Sequence, residues 1–404
     1  MVGMTLAVSF VSGPLIGGMI SHYSDWRWLF NMNIPIGLLA ILGITNLWPQ
    51  EDVAHLFSWD AFKKIDFLGN IALHLASGLV VFALQQAGSQ SSAWESPEII
   101  STFIISGMCF AVFIWWEVAL GSRRFGRIEP VFPIRLILNR VYSAGLMVTM
   151  LTGFPYIALT IIIPERFQIV DGQDALMAGI HILPMLGACA VGSFLGGIIS
   201  SKRNNTSYTM VGASALQVLG VSLMTMLSRS GSPSDAQYAY QAIFGLGVGL
   251  SFSAATIMTN VFASEQSDRA SAQGAVAQAR VFGGCIGLAL CTVIFNSHVN
   301  KFLASHLSEQ EIEDLHRSPL AGLQLPLNQQ ELVKSVYAGA FAEQIKVMAA
   351  ICAVMVAVSL FSLERHPTPL RRPASMTKDA ESSRRGSDSA TELNEVSSIR
   401  LQAV

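Results

Sequence analysis

The chain alternates long apolar runs with short polar interruptions, and ten of the runs are long enough to cross the roughly 30 Å of hydrocarbon in a bilayer. They extend approximately from Val2 to Ile20, Leu29 to Trp48, Phe67 to Gln86, Ile99 to Leu120, Val141 to Ile163, Ala175 to Ser200, Tyr208 to Leu227, Tyr238 to Asn260, Ala275 to Phe295 and Tyr337 to Leu363. In lipid a single segment satisfies its own backbone only as a helix, so the pattern predicts an all-α, polytopic transmembrane helix bundle. The last run is the most interrupted, with Glu343 and Lys346 in its first half. These two stand three apart on one helical face and predict a local ion pair. From Glu364 to Val404 the pattern dissolves into Ser, Arg and Pro, which predicts a disordered tail.

Composition agrees with the pattern. Of 404 residues, 51% are hydrophobic and 13% charged, with a mean hydropathy of +0.48; a soluble domain carries roughly 25% charged residues. The net charge of −2, without a basic stripe interleaved with aromatics, gives no reason to expect a nucleic-acid partner. The five cysteines, Cys109, Cys189, Cys285, Cys291 and Cys352, all fall inside apolar runs, where they pack as small residues. Neither a metal-ligand spacing nor a disulfide framework can be read from them. No GxSxG elbow, HExxH pair or phosphate loop occurs, and no run holds paired carboxylates or His with Asp at helical spacing, so no enzyme and no metal site are expected.

The loops set an orientation. With Met1 on the cytoplasmic side, the cytoplasmic loops hold Lys63, Lys64, Arg123, Arg124, Arg127, Arg135, Arg140, Lys202, Arg203 and Arg269. The opposite side holds only Arg27, Arg166, Arg229, Lys301, Arg317 and Lys334, three of them in a long Asn296 to Val336 loop that weighs less under the positive-inside rule. The tail is then cytoplasmic. Asn204 and Asn205 each open an N-x-Ser/Thr sequon on the cytoplasmic side and are expected to be unmodified.

The stretch from Leu6 to Gly43, LAVSFVSGPLIGGMISHYSDWRWLFNMNIPIGLLAILG, is the most specific. Ser9, Gly13 and Gly17 recur every fourth residue and make a strip that lets a neighbouring helix approach closely, while Pro14 bends the same helix. Trp26, Arg27, Trp28, Phe30, Asn33, Pro35 and Gly37 follow at the aromatic turn. Together these residues resemble the antiporter signature of the major facilitator superfamily, and more closely its fungal fourteen-helix drug:proton antiporters.

On that family's plan, residues 1–48 correspond to the last two helices of the N-terminal bundle, helices five and six. Residues 49–66 form a cytoplasmic loop, 67–120 the extra helix pair introduced by IDFLG at Ile65 to Gly69, and 121–140 a second cytoplasmic loop. Residues 141–363 resemble the complete C-terminal six-helix bundle, and 364–404 the tail. The resemblance implies that the family's first four helices are lacking, with the Gly/Asp/Arg loop between helices two and three and the arginine of helix four tied to proton coupling. Within the C-terminal part, IIIPERFQIVDGQDALMAGIHILP matches around Gln168 and Pro184, departing from the usual pattern at Glu165 and Arg166, an ion pair or a substrate-selective feature. GLGVGLSFSAATIMTN and ASAQGAVAQARVFGGCIGLAL complete the match.

The resemblance implies export of a small amphipathic molecule across the lipid bilayer, coupled to inward flow of protons, with the proton gradient as energy source and no cofactor. Gly13, Pro14, Gly17 and Gly18 are the implied seal between bundles. The expected location is the plasma membrane, or the vacuolar membrane, with a cytoplasmic C-terminus. The alternative is a non-transporting remnant or partner-binding membrane fragment, and genomic sequence directly upstream discriminates the two. Arg280, Gln278, Gln168 and Glu343 are the candidates for the substrate or proton path, since ionisable groups inside a bilayer persist mainly when paired or lining water. For Arg280, expected one turn into its helix beside Gln273, Gln278, Gly283, Gly284 and Gly287, the alternative is snorkelling to the interface. Glu117 reads as an interfacial anchor and His74 as a helix-to-helix hydrogen bond. In the tail, Ser387 follows Arg384 and Arg385, and Ser375 follows Arg371 and Arg372, patterns that basic-directed kinases accept.

Overall fold

The computed structural model of the chain describes residues 2–25, 27–47, 63, 65–89, 93–121, 128, 130–132, 134–200, 203–227, 235–263, 266–317, 321–322, 325–364 and 367–368. Among the described residues every regular element is a helix. The chain opens with α1 (Val2–Tyr23), the one-turn α2 (Trp28–Asn31) and α3 (Asn33–Leu47). A hairpin of α4 (Phe67–Ser89) and α5 (Pro97–Gly121) follows, then the short α6 (Ile134–Ile137). The remainder is α7 (Arg140–Ile169), α8 (Ala175–His181), α9 (Leu183–Ile199), α10 (Thr206–Leu227), α11 (Ala236–Phe262), α12 (Gln266–Leu303), α13 (Glu309–Arg317) and α14 (Leu327–Leu360). Nine helical stretches among the described residues are long and apolar enough to cross a membrane, and the tenth expected run is built as α1.

The apolar pattern locates the helices but understates two of them. α12 begins at Gln266, nine residues before the expected Ala275, and α14 at Leu327, ten before Tyr337. At 1.5 Å per residue, these helices of 38 and 34 residues are about 57 and 51 Å long and outrun the hydrocarbon. The expected Asn296 to Val336 loop shrinks accordingly to 304–326, which itself holds α13. The Ala175 to Ser200 run is two helices that meet at Ile182, with Pro184 in the first turn of the second. Most of 49–66, and the tail apart from 364 and 367–368, lie outside the described residues.

Side chains close the helix ends where backbone N–H groups lack partners. Asn139 Oδ1 accepts from the Val141 and Tyr142 amides and caps α7; Asp174 Oδ1 accepts from the Met177 amide and caps α8. Asp66 Oδ1 accepts from the Gly69 amide at 2.8 Å and from the Trp116 indole at 2.8 Å, so the cap of α4 also binds α5. Asn204 Oδ1 accepts from the Thr206 amide and hydroxyl, and its amide donates to the Thr368 carbonyl.

Packing of α7 to α14 produces one continuous core. Apolar surface gives little drive for helices to associate within lipid, so close backbone contact takes over. Gly283 on α12 lies so near α7 that a methyl there would run into the Met150 carbonyl, and Gly153 on α7 meets the Arg280 carbonyl in the same way. A second such seam joins α9 and α11, where Gly249 faces the Cys189 carbonyl and Gly245 that of Met185. The α4–α5 hairpin docks on α12: Asn296 donates to the Gly88 carbonyl at 2.7 Å, Gly88 abuts Val293, and Phe110 meets Phe282. α1 lies on α8 and α9, its end held by His22 3.6 Å from Asp174.

Candidate functional site

Four long helices each contribute one side chain to a cluster at mid-height. Tyr156 comes from the middle of α7, Cys189 from α9, Phe252 from α11 and Arg280 from α12. The Arg280 guanidinium carbon lies 3.7 Å from the centre of the Phe252 ring, a cation–π contact. Tyr156 meets the edge of that ring at 5.3 Å with perpendicular planes, and the buried Cys189 completes the cluster. Arg280 Nε is buried and without a hydrogen-bond partner. No ion pair joins Arg280 to an acid of the described residues.

A polar knot lies one turn away along α7. Thr152, fully buried, meets the Ser251 hydroxyl at 3.1 Å and Met355 Sδ at 3.2 Å, and accepts from the Gln217 amide at 3.5 Å. It ties α7, α10, α11 and α14 behind the Arg280 cluster and fixes where Tyr156 and Phe252 stand.

The snorkelling alternative for Arg280 is corrected by this geometry. The Arg280 head turns to side chains near the middle of three other helices, with its guanidinium over the Phe252 ring, rather than back along α12 toward its polar first turns. Gln278, on the other side of α12, lines a cleft of about 600 Å³ with Asp66, His74, Phe132 and Ser271. Gln168 sits in the last turn of α7, thirteen residues from the level of Pro155. Glu343 binds Lys346 Nζ at 2.6 Å on its own helix, both half-exposed. The four expected path residues are therefore not brought together.

Other expectations also shift. Gly13 and Gly17 have open space where a side chain would go, whereas a methyl on Gly18 would stand 3.1 Å from the Leu176 Cα. A methyl on Gly179 would likewise stand 3.1 Å from the Pro14 carbonyl oxygen, so of the four expected seal residues Pro14 and Gly18 lie on the contact of α1 with α8, while Gly13 and Gly17 do not. Trp26 lies outside the described residues. Arg27 pairs with Asp25 at 3.0 Å, Asn33 donates to the Leu29 carbonyl, Trp28, Phe30 and Pro35 are exposed, and Gly37 has no close neighbour. His74 bonds the Asn70 carbonyl of its own helix rather than a neighbouring one. Glu117 is no exposed anchor: it is buried, and Oε1 accepts from the Phe132 amide at 3.1 Å. Glu165 and Arg166 do not pair with each other, as adjacent residues on a helix point apart. Ser375 and Ser387 lie outside the described residues. Sequence reasoning missed Tyr156, Cys189 and Phe252, which carry no local motif.

Comparison with known proteins bears on the whole arrangement. The profile of the Major Facilitator Superfamily matches residues 1–288. An MFS-type transporter of Fusarium mangiferae, FPY5, is 36% identical over 372 residues, covering 90% of this chain and 62% of that protein. The MFS-type transporter phomT of Diaporthe leptostromiformis is 26% identical, over 80% of this chain and 52% of its own length. Multidrug resistance protein 3 of Bacillus subtilis is 29% identical, over 74% of this chain and 56% of that protein. The chain thus spans between about half and three-fifths of the length of these curated relatives. A multi-pass helical bundle, a profile covering well over half of the residues and fungal transporters among the relatives converge on one assignment: the chain belongs to the Major Facilitator Superfamily.

Proposed function

We propose that the chain serves transmembrane export of small amphipathic molecules, driven by inward proton flow, with the Arg280 cluster in the wall of the substrate path. The observation that carries this reading is a cationic side chain held at mid-height by residues from four helices, within a bundle of a transporter family. An ionisable group in that position costs at least about 2.5 kcal/mol on insertion scales and is retained where water, a substrate or a counter-charge meets it. Relatives described as efflux transporters and as a multidrug resistance protein support the direction and the breadth of substrate. The asymmetry of basic loop residues supports a cytoplasmic C-terminus, and the resemblance to fungal exporters supports the plasma membrane.

The test is accumulation of a lipophilic fluorescent dye in cells that lack their own efflux pumps and express the full chain. The proposal predicts lower steady-state dye than in control cells, restored by a protonophore. Equal dye in both, with the chain inserted in the membrane, overturns it and favours the non-transporting alternative.

A further inference from the structure

Among the described residues no acidic side chain forms an ion pair with the Arg280 guanidinium. The segments 175–199 and 236–262 contain no acidic residue, α12 has only Asp268, and that carboxylate is bound by Arg135 at 2.7 Å. On α7 the sole acid is Glu165, nine residues from Tyr156 and so about 13 Å further along the axis. A cation kept in a low-dielectric bundle without a partner is costly, because no opposite charge offsets its lost hydration. Stacking over Phe252 offsets part of that penalty through the ring face, but it leaves the N–H donors unused, because they lie in the guanidinium plane. Nε is buried and without a hydrogen-bond partner, while the residue as a whole is only partly buried. Those donors form a fork matched to a planar pair of oxygens.

We infer that Arg280, backed by Phe252 and Tyr156, is an anion-recognising subsite and that the molecules this protein handles include amphipathic organic anions bearing a carboxylate or a carboxylate-like oxygen pair. The aromatic rings and the surrounding apolar helices accept the rest of such a molecule. A cationic amphiphile is repelled at the same place, so the site separates substrates by sign of charge. This deepens the transport reading and rests on it for its physiological meaning, but it is decided by equilibrium binding, which needs no turnover.

The experiment uses the full chain in lipid nanodiscs and three probes of one shape: anthracene-9-carboxylate, its methyl ester and 9-(aminomethyl)anthracene, read by fluorescence anisotropy. The carboxylate should bind wild type tighter than the ester, and the ammonium weakest. Arg280→Gln should weaken the carboxylate by about 10-fold or more, the range for a charge-assisted hydrogen bond, and leave the ester within about twofold. Arg280→Lys, which keeps the charge and loses the fork, should fall between. Equal affinity for carboxylate and ester in wild type, absence of saturable carboxylate binding, or an unchanged carboxylate affinity in Arg280→Gln overturns the inference. Where a variant fails to fold, the order of the three probes on wild type decides alone. A failure of dye efflux with the carboxylate preference intact would sink the transport reading and leave the subsite standing.

Discussion

At the residue scale, identity alone made Arg280 conspicuous, but its role depends on side chains that sequence leaves anonymous. Tyr156, Cys189 and Phe252 lie 33 residues or more apart along the chain from one another, and only the packing of α7, α9 and α11 joins them. The Ser308 to Glu311 capping box is the opposite case, a local pairing within four residues that opens α13 inside a stretch the sequence analysis reads as loop. Glu311 accepts from the Ser308 amide and hydroxyl, each at 2.8 Å, and these bonds hold its carboxyl below the usual carboxylate range. A depressed acid contributes its stabilisation above the ordinary carboxylate pKa and loses it as pH falls through the lowered value. Amide exchange at the start of α13, corrected for intrinsic rates, should therefore accelerate on acidification in wild type. Glu311→Gln should lack that pH dependence, and an identical profile in both would remove the cap from the account.

At the element scale, helix existence was legible because each span is a nearly unbroken apolar run, whereas helix ends were not. Hydropathy reports where a helix leaves hydrocarbon, and the polar first turns of α12 and α14 continue the helix beyond that point. Small-residue strips were equally ambiguous: the every-fourth pattern of Gly13 and Gly17 meets open space, while Gly283 and Gly153 form a tight seam. Gly283→Leu should push α12 off α7 and lower thermal stability, by about 1–3 kcal/mol for an overpacked contact, while Gly13→Leu leaves stability unchanged. Comparable melting shifts in the two variants would show that the seam is not where the backbones touch. Asn296→Ala removes the donor to the buried Gly88 carbonyl, at a cost of about 1–3 kcal/mol. The α4–α5 hairpin should then become more accessible to a cysteine reagent at Cys109 than in wild type; unchanged labelling would mean that other contacts hold the hairpin.

At the scale of the whole molecule, family and fold class were legible from the joint pattern of the WRWLFNMNIPIG turn and ten apolar runs, and the profile match and relatives agree. The orientation rests on loop charge and has its own check. Asn204 is buried, with its carboxamide oxygen and nitrogen both engaged, so glycosidase treatment should leave mobility unchanged. A shift that disappears on mutating Asn204 and Asn205 would invert the topology. The central claim, proton-driven export past Arg280, is tested most directly in inside-out vesicles carrying the full chain, with an acidic lumen imposed and dye added outside. The account predicts dye accumulation in the lumen that collapses with the gradient, falls strongly in Arg280→Ala and is partly kept in Arg280→Lys. Accumulation independent of the gradient, or equal in wild type and Arg280→Ala, would contradict it.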